Sequence, residues 1–129
     1  MYSAMLFAQD RVGSKTIERI ALESQEVCIY KTMHAYPSPY ELTRLVNTFK
    51  PDLVFVELHA LEDSLVLARA LRLLTPHTAV IGYRWDAPAP DVERAYDAGV
   101  LEILPSPLTP ESLPEAMERA VRKARPELQ

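Results

Sequence analysis

At 129 residues the chain fits one domain with a single core that needs no metal or disulfide staple. Its 48% hydrophobic and 25% charged shares are those of an ordinary globular protein, and a net charge of -4 with a pI of about 5.4 excludes an overall electrostatic footprint for nucleic acid. One cysteine excludes an internal disulfide framework, and no apolar stretch is long enough to span a bilayer, so a cytoplasmic location with no membrane partner is expected.

In chain order, Met5-Leu6-Phe7-Ala8 reads as a first strand ending at the polar pair Gln9-Asp10. Ile17, Ile20 and Ala21 recur at helical spacing, with Glu18 and Arg19 outward. Gly13-Ser14-Lys15 lacks the upstream glycine of a phosphate loop and is read as the start of that helix. Val27 to Tyr30 gives a second strand, in which Cys28 is expected as a small core residue. Ser38-Pro39-Tyr40-Glu41 is a capping box with proline at the first helical position, and Leu42, Leu45, Val46 and Phe49 form the stripe of the helix that follows.

The organising stretch is Pro51 to Leu58. Its continuous run Leu53-Val54-Phe55-Val56 fits a parallel strand covered on both faces, and Glu57 stands at its carboxyl end, where open parallel sheets place their chemistry. Leu67, Ala70, Leu71 and Leu74 predict a third helix, and Ala79 to Tyr83 a fourth strand running into Arg84-Trp85-Asp86. A proline-bearing loop over 87–90 leads to a short helix with Val92, Ala95 and Tyr96 inward and Gly99 as its cap. A last strand lies near Leu101 to Leu104. The final helix starts at Thr109-Pro110, with Pro114 as a small defect and Leu113, Ala116, Met117, Ala120, Val121 and Ala124 on one face. His34, His59 and His77 share no ligand spacing and are expected at the surface. Five strands alternating with five helices predict a three-layer α/β sandwich over 1–129, with 126–129 a tail or the start of a linker.

This layout, with PDLVFVEL at 51–58, AYDAGVLEILPSPLTPESL at 95–113 and the Gln9-Asp10 strand end, resembles the receiver domain of bacterial response regulators over nearly the whole chain. The resemblance implies a flavodoxin-like, CheY-like (βα)5 fold with strand order 2-1-3-4-5, and phosphorylation on an aspartate at the end of the third strand. That aspartate falls here on Glu57, the acid pair on Gln9 and Asp10, the hydroxyl residue on Arg84 and the lysine on Ser106, whose bond to Pro107 is expected to be cis. Where the family often has Met-Pro, this chain has Ala60-Leu61.

The expectation is therefore a pseudo-receiver: a non-enzymatic signalling domain of a two-component or phosphorelay system, with no catalytic residue and no cofactor. Mg²⁺ is not expected, Asp10 being its one candidate ligand. Glu57 reads either as a mimic of a phosphorylated aspartate or as a relic carboxylate. Arg84 offers it, or Asp10, a forked cation partner. The resemblance implies an output surface over Val92 to Ala98, Leu101 to Leu104 and Leu113 to Ala124, with Ile103 where an aromatic switch residue usually stands. The mixed charges Glu118, Arg119, Arg122 and Lys123 suggest a homodimer or protein partner through the last helix. The alternatives are a residual phosphoacceptor at Asp10 or Glu57, and a flavodoxin-like pocket for a nucleotide or small anion.

Overall fold

In a computed structural model, which describes residues 1–58, 61–84 and 88–126, the chain alternates strand and helix throughout. The elements are β1 (Tyr2–Phe7), α1 (Arg11–Ser24), β2 (Val27–Met33), α2 (Pro39–Phe49), β3 (Leu53–Glu57), α3 (Leu61–Leu74), β4 (Ala79–Tyr83), α4 (Ala89–Ala98), β5 (Glu102–Ile103) and α5 (Leu113–Ala124). The strands form one parallel sheet in the order β2-β1-β3-β4-β5, as expected. His59, Ala60, Trp85, Asp86, Ala87 and the tail from Glu127 lie outside the described residues.

Successive strand side chains point to opposite faces, so the continuous apolar runs of β1, β3 and β4 feed two separate cores. Leu6, Leu53, Phe55, Ile81 and Tyr83 pack with Ile17 and Ile20 of α1 and with Leu113, Met117 and Val121 of α5. Phe7, Val54, Val56 and Val80 pack on the other face with Leu42 and Val46 of α2, Leu65, Leu67 and Leu71 of α3, and Ala95 of α4. The sandwich thus has α1 and α5 on one side and α2, α3 and α4 on the other.

The start and stop signals explain the helix bounds. The Ser38 hydroxyl accepts the Glu41 N–H at 3.3 Å, so the serine half of the capping box forms as read, with Pro39 in the first turn; the Glu41 carboxylate meets the Ser38 hydroxyl, at 3.2 Å, where the full motif would have it accept the Ser38 backbone N–H. Gly99 caps α4 at φ 113°, a left-handed conformation that favours glycine.

Several sequence expectations need correction. Cys28 is exposed, because β2 is an edge strand whose outer positions are covered only in part. Tyr96 is 44% exposed and Val92 half-buried; Ala95 and Ala98 make the inner face of α4. Leu74 and Phe49 sit at the rims of their helices, at 40% and 39% exposure, while Leu65 and Ala68 supply core contacts of α3 that the predicted stripe lacked. The last helix begins at Leu113, after a turn in which Thr109 and Ser112 exchange hydrogen bonds. Pro114 therefore stands in the first helical turn, where its missing N–H has no partner to lose, and is no defect. Pro88 is the N-cap of α4, and Ala89 and Pro90 are already helical.

Candidate functional site

The carboxyl ends of β1, β3 and β4 converge at Glu57, which is 5% exposed. Its carboxylate does not project outward from the strand. Oε1 accepts the backbone N–H of Asp10 at 3.3 Å, placing the negative charge against the N-terminus of α1. Asp10 itself caps that helix: its Oδ1 accepts the Val12 N–H at 3.0 Å. A Cβ at Gly13 would lie 3.0 Å from Asp10 Oδ2, a tight contact that the glycine avoids, and 3.6 Å from Glu57 Oε2, an ordinary one. Next to it, Ser14 is buried and its hydroxyl donates to the Arg11 carbonyl at 3.0 Å.

The main-chain carbonyl of Glu57 is held as firmly as its side chain. It accepts the Ser64 hydroxyl at 2.6 Å and the Tyr36 hydroxyl at 2.9 Å, so α3 and the β2-α2 loop both tie to the end of β3. Burial pushes the Tyr36 phenol up to about 12; the Ser64 hydrogen bond opposes this, and the nearby Glu57 and Asp63 charges add to it. Tyr83, on β4 beside Glu57, is likewise raised above its ordinary value, first by burial and then by the Glu57 charge. Its ring belongs to the core with α1 and α5.

Arg84 carries out neither suggested pairing. Its Nη1 donates to Asp91 of α4 at 3.3 Å, and among the described residues no ion pair reaches Glu57 or Asp10. Gln9 and Asp10 are exposed at the strand end, and Ser106 and Pro107 are exposed in the β5-α5 loop, joined by a cis peptide bond as expected. Ile103 is half-buried against the core of the α3 and α4 face. No cluster of three metal-ligating side chains occurs among the described residues.

On the proposed output face the charges are committed within the chain. Glu102 of β5 is buried, and α5 sends both Arg119 and Lys123 to it, Lys123 Nζ at 3.0 Å. Lys123 also donates to the Leu101 carbonyl at 3.0 Å, and Arg122 pairs with Glu118 one turn away. The mixture of signs read from α5 thus reflects an internal clamp as much as a surface for a symmetry mate. Tyr36, Ser64, Gly13 and Glu102 were not legible as site residues, because their roles arise from contacts between distant segments. His34, expected as a surface residue, binds the Ala8 carbonyl through Nδ1 at 2.9 Å.

A parallel 2-1-3-4-5 sheet with an acid at the end of β3 and a cis X-Pro bond after β5 is the receiver fold. The solved structures agree. The signal receiver domain of a modulated diguanylate cyclase from Desulfovibrio desulfuricans is 21% identical, with a TM-score of 0.75 over 98% of both chains. A response regulator from Thermotoga maritima is 22% identical, with a TM-score of 0.74 over 94% of this chain and 98% of its own. A protein described as pilus assembly-related from Burkholderia pseudomallei is 22% identical, with a TM-score of 0.79 over 95% of this chain and 91% of its own. At such identities the likeness establishes the fold. No protein-family model and no curated protein matches the chain.

Proposed function

We propose that this chain is a receiver-like signalling module of a two-component or phosphorelay system, non-enzymatic, that works through protein contacts and not by taking a phosphoryl group in the usual way. The observation that carries this is the Glu57 carboxylate: it is buried, directed to the Asp10 N–H, and in no ion pair among the described residues. A phosphoryl acceptor needs its oxygen free for in-line attack and cations to neutralise the incoming charge. Here Arg84 is drawn to Asp91, and Ser106 stands where the resemblance puts the lysine. The same geometry speaks against a phosphate mimic, because the charge is turned inward. A cytoplasmic location accords with this reading; among the described residues no helix is long and apolar enough to cross a membrane.

The partner surface is proposed on α4, β5 and α5, where Tyr96 is exposed, Val92 half-buried, and Glu118 and Arg122 lie at the rim. A second copy is the partner it would take. Light scattering after size exclusion is expected to show a dimer that Tyr96→Asp disrupts; a monomer at every concentration sinks that part.

The phosphorylation claim is tested by Mg²⁺-dependent beryllofluoride binding, followed by amide chemical shifts, with Glu57→Asp in parallel. No response from the native chain is expected. A saturable response at Asp10, Glu57 and Arg84 would overturn the reading and make this a regulated receiver with unusual ligands. A response confined to Glu57→Asp would show that Glu57 alone sets the signalling state.

A further inference from the structure

Next to Glu57 lies a cleft of about 580 Å³, a size typical of sites for small organic ligands. It opens at the carboxyl ends of β1 and β2, between the β2-α2 loop and the first turns of α2 and α3. Pro37, Pro39, Leu42, Val66, Leu67 and Ala70 give it apolar walls. Among the described residues its polar groups are Gln9, His34, Tyr36 and Asp63, and no lysine or arginine lines it.

The chemistry of these groups selects the ligand's charge. A carbonyl only accepts, so the His34 Nδ1 that meets the Ala8 oxygen carries a proton. Asp63 is exposed and has no ion-pair partner among the described residues. Glu62 of the first turn of α3 is paired with Arg94, but Asp63 beside it faces the cleft at this anion-favouring helix end, so an incoming anion meets its charge where a bare helix end would attract it. What fits is a donor with a positive charge and an apolar body.

The cleft also has a built connection to the end of β3. Tyr36 lines it, and the Tyr36 hydroxyl donates to the same Glu57 carbonyl that Ser64 holds. We propose that this cleft binds a small amphipathic organic cation, an ammonium or guanidinium on an apolar frame, and that Tyr36 transmits its occupancy to the end of β3. The inference goes beyond the signalling reading above and does not depend on it.

Three probes of one shape test it on the intact chain by amide chemical shifts: benzylammonium, benzyl alcohol and benzoate. Benzylammonium is expected to bind best, with saturable shifts at Gln9, His34, Tyr36, Asp63 and Leu67. Asp63→Asn, at an exposed position and checked for intact sheet amides, should weaken benzylammonium by about five- to tenfold and leave the alcohol unchanged. Tyr36→Phe should keep the cleft shifts and lose the accompanying shifts at Glu57 and Asp10. Benzoate binding as tightly as benzylammonium, an Asp63→Asn variant that binds it equally, or no saturable shift for any probe would overturn the site. Shifts at Glu57 that survive in Tyr36→Phe would overturn the transmission.

Discussion

At the scale of single residues, the decisive feature is how Glu57 is satisfied. A buried carboxylate with no ion pair among the described residues needs donors, and here a backbone N–H at the head of α1 supplies one. Glutamine keeps the oxygen that accepts this bond, so Glu57→Gln is expected to change stability by less than about 1 kcal/mol, whereas Glu57→Ala orphans the Asp10 N–H and should cost about 1–3 kcal/mol. Urea midpoints of the two variants decide it; equal losses would mean that the Asp10 contact contributes nothing. Cys28 illustrates the opposite error of scale. Its apolar neighbours in sequence suggested burial, yet the thiol is exposed, and it should react with a thiol-specific reagent in the native chain without denaturant. Protection until unfolding would refute that placement.

Among the elements, α2 and α5 behave as their sequences require. Ser38 satisfies an N–H that the first turn leaves unpaired, so Ser38→Ala should destabilise the protein by about 1 kcal/mol, read from the same urea midpoints. No change would show that water replaces the cap without loss. The stripe of α5 was legible in full because a long amphipathic helix repeats its signal over several turns, and all six predicted positions are buried. α4 was legible only in part: Tyr96, apolar in pattern, lies on the outer face, since a short helix has room for few inward positions and Ala95 and Ala98 take them. β5 is the short edge of the sheet, two residues against the four expected, paired with β4 at Glu102 and Ile103.

At the scale of the whole molecule, two carboxylates fasten distant parts of the chain. Asp52, before β3, accepts the Ser3 N–H at 2.9 Å and meets Arg125 beyond α5 at 3.2 Å; Glu102 is gripped by Arg119 and Lys123. Burial pushes both carboxyls up, but the hydrogen bonds and cations outweigh it and hold them below their ordinary values of 3.8 and 4.5. A depressed folded pKa means that the unfolded chain binds the proton more readily. The stabilisation is then fully present above those ordinary values and is lost as pH falls through the folded ones. Asp52→Asn with Glu102→Gln should therefore lower stability at neutral pH and flatten its decline below about pH 4.5. A pH profile of urea midpoints that keeps its slope in the double variant would contradict this.

The sequence by itself determined the α/β alternation, the buried run of β3 with Glu57 at its end, the caps of α2 and α4 and the face of α5. Each of these is set by a local period or by a neighbour within a few residues, so the information lies within one stretch of chain. The resemblance names positions for a site, Glu57, Asp10, Gln9, Arg84 and Ser106, but not the partners of their side chains. Only the tertiary structure decided that Glu57 turns to Asp10, that Arg84 goes to Asp91, that Tyr36 and Ser64 meet at one carbonyl, and that Arg119 and Lys123 close on Glu102. A long polar side chain chooses among donors and charges brought within reach by the packing of other elements. That choice is fixed by distance in space and leaves no periodic trace in the sequence.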